Sequence, residues 1–280
     1  MIDYHIHLER GPYSLEWLSH FWDQAQLLGV SEIGITEHAH KFREFLPVYE
    51  HLWNAGCCDP ASASWIRSHF EHSLRDYLEL LDAGENSGIP LKVGLEVDYF
   101  PQSEGEIGDL LSEYHFDYLL GSVHFLKDWS FDWNPEVGWP DRNVDDVYLG
   151  YLAMMDKMVK SNLFDVLAHL DVIKVFGHRA SKNLDKEWEA LLRHVSRAGL
   201  AIEVSTAGLR RPVGEIYPHP KLLKQAASLD IPITIASDAH MPCEVGYRWR
   251  DAATLAHACG YRTYSSFTGR KRSNHALPSF

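Results

Sequence analysis

The chain has 280 residues, of which 45% are hydrophobic and 23% are charged, a balance that is ordinary for a soluble globular protein. The formal net charge of −13 argues against nucleic acid as a general partner, because a phosphate backbone requires clustered Lys and Arg. The length suits one domain over residues 1–280, since α/β barrels commonly reach this size without dividing. Neither a secretory signal nor an apolar stretch of membrane-spanning length occurs, so we expect a cytoplasmic protein with no membrane partner.

Short apolar runs and segments with helical spacing alternate along the chain. Ser14 is placed to cap a first helix that begins at Leu15, and Gly29 ends that helix. The apolar runs that we predict as strands are 2–7, 32–36, 90–95, 116–123, 163–168, 200–205 and 231–236. The later segments that we predict as helices are 62–84, 145–160, 184–198, 219–229 and 248–259. A short strand is expected at 262–267, and the basic tail after Gly269 is expected to be peripheral.

Two stretches lack a clear period and are predicted as long loops. They cover residues 41–60 and 127–146, and the second is rich in Asp and Trp. Long loops between strands and helices often line a binding site or close over it. We therefore expect both loops to cover the functional pocket and to set its specificity.

The four cysteines do not indicate a metal knuckle or a redox pair. They are Cys57, Cys58, Cys243 and Cys259, and no two of them form a C-x-x-C motif. Free thiols are therefore expected, as is usual in a reducing compartment.

Seven alternations of strand and helix indicate a parallel sheet that is wound with crossover helices. No G-x-G-x-x-G follows the first strand and no Walker loop occurs, which weakens the dinucleotide and P-loop interpretations. Six of the seven predicted strands end in His, Asp or Glu. A closed barrel brings all its strand ends to one face, whereas an open sheet cannot gather six distant ends. The sequence therefore favours a closed β/α barrel.

The first strand ends in two histidines, His5 and His7, that point to the same face because strand side chains alternate with a period of 2. Such a pair is a weak signal alone, although two imidazoles on one face form half of a metal site. Asp238 and His240 have the same spacing after the seventh strand, which neighbours the first strand in a closed barrel. Together the two pairs predict metal binding where the barrel closes.

Residues of metal-ligand type follow most of the predicted strands. The candidate ligands are His5, His7, Glu37, His38, Glu96, His124, His169, Asp238 and His240. A single histidine at a strand end is more often a hydrogen-bonded core or surface residue, but the joint placement favours ligands. Glu37, Asp98 and Asp171 are also suited to orient a neighbouring ligand instead of touching a metal. The histidines interpreted as structural or solvated include His20, His51, His69, His72, His115, His178, His194, His219, His257 and His275.

Mixed His and carboxylate sites suit zinc, iron and manganese, and Glu96, central in strand order, is the natural bridge between two metals. Clustered metals that share a hydroxide stabilise charge on attacking and leaving oxygens, so the implied reaction is hydrolysis, most naturally of a phosphate ester. For the phosphoryl oxygens, Arg210 and Arg211 are best placed, because Arg makes bidentate phosphate contacts. Arg179 and Lys174 are second choices, and the alternative for each of these is a surface salt bridge.

Six ordered motifs resemble those of the polymerase-and-histidinol-phosphatase (PHP) family. They are Asp3-Tyr4-His5-Ile6-His7, Thr36-Glu37-His38, Gly94-Leu95-Glu96-Val97-Asp98-Tyr99, Gly121-Ser122-Val123-His124-Phe125, Ala168-His169-Leu170-Asp171 and Ser237-Asp238-Ala239-His240. Two stretches, 206–218 and 121–132, resemble the histidinol-phosphatase branch. The resemblance covers nearly the whole chain. It implies an α/β fold, a distorted seven-stranded (β/α)7 TIM-like barrel with two or three divalent metal ions, either Zn, Mn or Fe.

The resemblance also implies the ligands of each metal. The sets are His5, His7, Glu96 and Asp238 for one metal, Glu96, His124 and His169 for a second, and His38 and His240 for a third. Many members have a histidine where this chain has Tyr13, and tyrosine is a poor zinc ligand at neutral pH because its pKa is near 10. A phenolate, a water, Glu9 or His40 is left to complete the third site, or that site is weakly occupied.

By the same resemblance, the protein is a phosphomonoesterase for L-histidinol phosphate in histidine biosynthesis, with a metal-bridging hydroxide as the nucleophile. The residues assigned to catalysis are Glu96, Asp238 and His240, and the proton donor to the leaving alkoxide stays open. Two alternatives remain. One is a phosphoesterase of the same family acting on another small phosphate ester, a nucleotide or phosphotyrosine, and the other is a non-catalytic metal-binding module.

Histidinol carries an ammonium and an imidazole, so a carboxylate should meet the ammonium group of the expected substrate. Asp98, Glu9 and Asp132 are the candidates for this contact. The expected partner is therefore a small phosphorylated molecule.

Overall fold

A computed structural model describes residues 1–54 and 60–279 of the chain. Cys57 and Cys58 lie outside the described residues. Cys243 and Cys259 are free thiols, as expected. Among the helices of the described residues, none combines the length and the apolar character that a membrane span requires.

The strands range in length from two residues to eight. In chain order they are β1 (Ile2–Ile6), β2 (Glu32–Ile35), β3 (Leu91–Asp98), β4 (Tyr118–Ser122), β5 (Phe125–Leu126), β6 (Trp129–Ser130), β7 (Val166–Leu167), β8 (Ala201–Ser205), β9 (Ile233–Ala236), β10 (Thr263–Thr268) and β11 (Lys271–Ala276). β1, β2, β3, β4, β7, β8 and β9 form one parallel sheet in that order. β5 pairs with β6, and β10 with β11, in two antiparallel hairpins.

The two edges of the seven-stranded sheet meet beyond the ends of β1 and β9. Ile6 pairs with Ala239 in an isolated parallel bridge. The backbone N–H of His7 donates to the carbonyl of Ala239 at 2.8 Å, and the N–H of Ala239 donates to the carbonyl of His5 at 3.1 Å. The sheet is therefore a nearly closed barrel, which confirms the predicted seven-stranded β/α barrel.

The helices cover the outside of the barrel or lie in the connections between strands. They are α1 (Leu15–Leu27), α2 (Leu46–Tyr49), α3 (His51–Asn54), α4 (Pro60–Arg67), α5 (Leu74–Asn86), α6 (Glu104–Ser112), α7 (Val144–Ser161), α8 (Asp185–Ala198), α9 (Pro220–Ser228) and α10 (Trp249–Cys259). Ser14 caps α1 as predicted, since its hydroxyl accepts a hydrogen bond from the backbone N–H of Trp17.

The predicted helix over 62–84 is wrong, because the chain forms α4 and α5 with a break between them. Phe70 has a φ of +54°, which a helix does not allow. The N–H of Phe70 donates to the carbonyl of His40 at 2.8 Å, and the N–H of His72 donates to that of Lys41 at 3.0 Å. Hydrogen bonds to a distant segment therefore replace helical ones at residues 70–72.

The loop expected over residues 41–60 also needs correction. The stretch 41–60 is not a featureless loop, because its described part contains α2, α3 and a 3-10 turn at Arg43–Phe45. The tail after Gly269 is peripheral, as expected, since it forms β11, whose residues are all exposed, and Arg270 of the hairpin turn pairs with Asp165. The short strand expected at 262–267 is confirmed as β10.

The end of the barrel opposite the predicted site is closed by aromatic side chains. Tyr4 and Tyr118 stack with ring centroids 4.9 Å apart, and the Tyr118 hydroxyl donates to the carbonyl of Tyr4 at 2.7 Å. The ring of Phe267 in β10 stacks on that of Tyr118, with ring centroids 5.8 Å apart. These three stacked rings form an aromatic plug. A Cβ at Gly34 would lie 1.9 Å from the Tyr118 hydroxyl oxygen, so the plug requires glycine at that position. This apolar plug leaves the carboxyl ends of the strands as the face for polar chemistry.

Candidate metal centre

The carboxyl ends of the barrel strands bring together most of the predicted ligands, nearly all of them buried. Within the described residues, three groups each place their ligand atoms within 4.8 Å of one another. The groups are His5, His7 and Asp238; Glu96, His124 and His169; and His7, His38 and His240. Parallel strands create this convergence because their ends point to the same face.

The first group lies where the barrel closes. His5 Nε2 is 3.4 Å from Glu96 Oε2 and 3.8 Å from Asp238 Oδ1. His7 Nε2 is 3.3 Å from Asp238 Oδ1 and 3.7 Å from Glu96 Oε2. His5 of β1 and His7 directly after it thus face two carboxylates across the end of the barrel.

The second group surrounds the other oxygen of Glu96. His169 Nε2 lies 3.1 Å from Glu96 Oε1, and His124 Nε2 lies 3.6 Å from the same oxygen. The Nε2 atoms of His124 and His169 are 3.2 Å apart. Glu96 therefore presents one oxygen to each of the first two groups, as a bridging carboxylate would.

The third group stacks beside the first. The ring of His7 lies 4.0 Å from that of His38 and 4.4 Å from that of His240. His38 Nδ1 is 2.7 Å from Glu96 Oε2, and His240 Nε2 is 3.5 Å from Glu9 Oε1. Glu9 borders the cavity at this point.

Tyr13 lies beside Glu37 and outside the cavity. Its ring packs 4.1 Å from that of His72 and 6.4 Å from that of Tyr77, and it does not line the cavity. Burial, together with the carboxylate of Glu37, raises the pKa of the Tyr13 phenol far above its ordinary value. A phenolate at this position is therefore disfavoured.

The donor atoms fit divalent metal ions. Buried atoms without a hydrogen-bond partner in the described part of the chain include Nε2 of His5 and Nε2 of His7. Unpartnered buried polar atoms are costly, and metal coordination would satisfy each of these. The mixture of imidazole and carboxylate suits zinc, iron or manganese.

The charges of the cluster are set by close contacts. Burial opposes ionisation of Glu96, but the neighbouring His5, His38 and His124 hold its pKa well below the usual range. Burial likewise lowers the pKa of His7, but hydrogen bonds to Asp238 and Glu37 outweigh it and raise the pKa to about 9. Protons on the histidines thus balance the carboxylates in the metal-free protein.

His240 behaves differently from His7. Burial and the nearby charge of His7 lower the pKa of His240 to about 3, so that imidazole is neutral. A neutral imidazole is the form that binds a metal ion.

Buried carboxylates support the ligands from behind. Glu203 Oε1 lies 2.8 Å from His5 Nδ1, and Glu203 Oε2 accepts the backbone N–H of His169 at 2.9 Å. Sequence reasoning missed Glu203, although a charged residue inside a buried apolar strand was a signal for it. Glu37 lies 3.4 Å from His7 Nδ1 and accepts the N–H of Leu8 at 2.8 Å. Such contacts orient metal-binding histidines.

Asp98 borders the cavity, but its carboxylate is already engaged. Its Oδ1 is 2.8 Å from His124 Nδ1, and its Oδ2 accepts the hydroxyl of Tyr49 at 2.8 Å. This placement resembles that of Glu37 more than that of a free substrate-binding group. Asp171 is also engaged, with Oδ2 accepting from His219 N and lying 2.8 Å from Lys174 Nζ.

The ligand groups open into a cavity of about 400 Å³, and only one of the four predicted cationic residues lines it. Arg211 borders the cavity, as does Arg10, which sequence reasoning missed. Arg210 instead donates to the backbone carbonyls of Ser237 and Asp238, at 2.9 and 2.8 Å. It therefore supports the segment that carries Asp238.

The structure does not bring Lys174 and Arg179 into this cavity. Both form ion pairs with Glu215, at 3.0 and 2.6 Å, and both line a separate cavity. Lys174 is also buried against Asp171. Their positive charges are thus balanced by protein carboxylates.

A β/α barrel that gathers buried histidines and carboxylates at the carboxyl ends of its strands defines a metal-dependent hydrolase. A PHP domain model matches residues 3–207, and the chain belongs to the PHP domain family, as the motifs predicted.

Relatives with histidinol-phosphatase names support the branch that the motifs indicated. A Deinococcus radiodurans protein named probable histidinol-phosphatase is 39% identical over 188 residues, covering 65% of this chain and 70% of its own. The histidinol-phosphatase of Bacillus subtilis is 26% identical over 88% of this chain and 96% of its own.

One solved structure shows the same fold along almost the whole chain. It is the histidinol phosphate phosphatase of Lactococcus lactis, complexed with zinc, L-histidinol and phosphate. The TM-score is 0.75 and the identity 22%, over 97% of this chain and 98% of the other.

Proposed function

We propose that this protein is a metal-dependent phosphomonoesterase that hydrolyses L-histidinol phosphate to L-histidinol and phosphate, a step of histidine biosynthesis. The observation that carries the proposal is the cluster centred on Glu96, whose two oxygens face two groups of histidines. Membership of the PHP domain family and the names of the relatives support the substrate. A single-domain organisation and a cytoplasmic location stay predictions.

The residues present would hold two or three divalent ions. His5, His7, Glu96 and Asp238 would hold one ion, and Glu96, His124 and His169 a second. When bound, such ions activate a water molecule and neutralise charge on the phosphoryl oxygens. Zinc is the favoured ion because the Lactococcus lactis protein was solved with it.

For the third site, we propose His38, His240 and Glu9 rather than Tyr13. The carboxylate of Glu9 lies 3.5 Å from His240 Nε2 and borders the cavity. Burial opposes its ionisation, but His38, His240 and Lys41 hold the pKa of Glu9 below its ordinary value. Glu9 therefore offers an ionised oxygen ligand where Tyr13 offers a protonated phenol.

Arg211 and Arg10 are the residues that would bind the phosphoryl group. Both border the cavity, and the described residues offer neither guanidinium an ion pair. An unpaired guanidinium beside a metal cluster suits bidentate contact with phosphate oxygens.

Of the residues assigned to catalysis, Glu96 and Asp238 are both ionised, because nearby histidines hold each pKa well below its ordinary range despite burial. An ionised Asp238 has the proton-free form that a general base requires. His240 is neutral and serves as a ligand. Asp132 borders the cavity, where Ser130 donates to its Oδ1 and its Oδ2 lies 3.9 Å from His124 Nε2, and we propose that it meets the ammonium group of the substrate.

A substrate panel tests the proposal. Phosphate release would be measured from L-histidinol phosphate, small alkyl phosphates, nucleotides and phosphotyrosine, with protein whose metal content has been determined. We expect L-histidinol phosphate to be strongly preferred and the His124→Ala variant to be inactive. A matched control is His115→Ala, which changes an exposed histidine outside the cavity. Preference for another ester would overturn the assignment of L-histidinol phosphate as the substrate but not the phosphomonoesterase activity. Absence of turnover of every ester by metal-loaded protein would overturn both claims.

A further inference from the structure

Part of the cavity wall is built from two tryptophans, Trp65 of α4 and Trp133 beyond β6. Their rings stack with centroids 5.6 Å apart and an interplanar angle of 26°. Both side chains are half-buried. Residues from two distant connections thus form one stacked aromatic pair in the cavity wall.

This tryptophan pair is continuous with the metal centre. The ring of His40 lies 4.7 Å from that of His38 and 5.7 Å from that of Trp65. His69 contacts both Trp65, at 4.8 Å, and His40, at 5.0 Å. A short molecule with one end at the histidine cluster can therefore place its other end against the tryptophan pair.

Trp133 differs from the other tryptophans of its loop. The indole N–H of Trp129 donates to the carbonyl of Val137, and that of Trp139 donates to the carbonyl of Phe131. Both of these rings are buried. In the described structure, the indole of Trp133 has no such hydrogen bond, and its ring borders the cavity. Trp129 and Trp139 hold the loop in place, which leaves Trp133 free to contact a ligand.

We infer that Trp65 and Trp133 determine specificity by packing against the imidazole ring of the leaving group, an inference that rests on the proposed function. A planar imidazole stacks well on an indole face, and its cationic form gains a cation–π attraction. The phosphoryl end of the same substrate lies at the metal cluster. The pair therefore recognises the part of the substrate that does not react.

The test is product inhibition of the metal-loaded enzyme. L-Histidinol and inorganic phosphate would each be tested as competitive inhibitors of L-histidinol phosphate hydrolysis by wild type, Trp65→Leu and Trp133→Leu. We expect the inhibition constant of L-histidinol to rise about three- to thirtyfold in each variant, while that of phosphate changes less than about twofold. Trp133→Phe should retain most of the affinity for L-histidinol because it keeps an aromatic face. Trp22→Leu, on α1 and away from the cavity, is the matched control.

The outcomes separate this inference from the proposed function. Absence of L-histidinol phosphate hydrolysis by the wild type would overturn the proposed function and the inference with it. Hydrolysis by the wild type, with L-histidinol inhibition unchanged in both leucine variants, would overturn the inference alone. An equal loss of inhibition by L-histidinol and by phosphate, or a lower metal content, would show that the tryptophan pair only supports the fold of the site. Either result would also overturn the inference.

Discussion

Glu203 illustrates at the scale of a single residue how a buried carboxylate can fix two ligands. It lies 198 positions from His5 in sequence, yet it contacts the imidazole of His5 and the backbone of His169. We expect Glu203→Ala to weaken zinc affinity about 10- to 100-fold, because both ligands lose their orientation. Competition with a chromophoric chelator measures this affinity. Glu189→Ala, an exposed change on α8, is the control, and equal affinity in both variants would contradict the assigned role.

Variants of Glu9 and Tyr13 should differ in whether they lose the third metal ion. Glu9→Gln removes the anionic oxygen beside His240, so we expect one fewer ion per chain at a zinc excess that saturates the wild type. Tyr13→Phe removes a hydroxyl that lies away from the cavity, so we expect the metal content to be unchanged. Elemental analysis of the two purified variants decides the question. Loss of metal in Tyr13→Phe, but not in Glu9→Gln, would assign the site to the phenol.

Among the secondary-structure elements, β2 packs closely against the aromatic plug at the opposite end of the barrel from the metal centre. A methyl group at Gly34 would meet the Tyr118 hydroxyl, which is itself held by the Tyr4 carbonyl. We expect Gly34→Ala to lower the free energy of unfolding by about 1–3 kcal/mol through overpacking. Chemical denaturation measures the effect. Gly105→Ala, in α6 with open space around it, should be neutral or slightly stabilising, and equal effects of the two changes would argue against the plug.

The residues at the strand ends could be predicted because they depend on the local sequence pattern. Apolar runs give the strands, and parallel strands in a closed barrel must gather their carboxyl ends, so His5, His124 and His169 could be placed together from sequence. Metal identity and the roles of the individual ligands stay predictions.

Features that depend on distant partners could not be predicted in the same way. The helix predicted across Phe70 fails because residues near His40 offer that segment other hydrogen bonds. Similarly, nothing local to Lys174 or Arg179 shows that Glu215 neutralises both. The choice of cavity arginine and the placement of Trp65 beside Trp133 likewise depend on three-dimensional contacts.

For the whole molecule, metal binding is expected to be coupled to protons. The pKa of His7 is raised to about 9 by Asp238 and Glu37 despite burial, and that of His124 is raised to about 10 by Asp132 and Asp98 despite burial. Both imidazoles are therefore protonated at neutral pH in the metal-free protein and must lose protons to bind zinc. We expect zinc affinity to fall as pH falls below about 10, and more steeply below about 9. Calorimetry in buffers of different ionisation enthalpy should show proton release, and heats independent of the buffer would contradict this picture.

Metal removal should also weaken the whole fold. The cluster joins β1, β3 and the segments after β2, β4, β7 and β9, and ions that bind only the folded state stabilise it. Free metal at about 100 times the dissociation constant would contribute about 2.7 kcal/mol for each site. We expect chelation to lower the thermal midpoint and zinc to restore it. An unchanged midpoint in chelator would indicate that the cluster does not bind metal in the folded protein.

The most direct test of the central claim is a titration of metal-free protein with zinc while hydrolysis of L-histidinol phosphate is measured. We expect turnover to be absent without metal, to rise with bound zinc and to reach its maximum at two or three ions per chain. His124→Ala should bind less zinc and remain inactive. Turnover that needs no metal, or a fully loaded wild-type protein that leaves L-histidinol phosphate intact, would contradict the proposed metal-dependent hydrolysis.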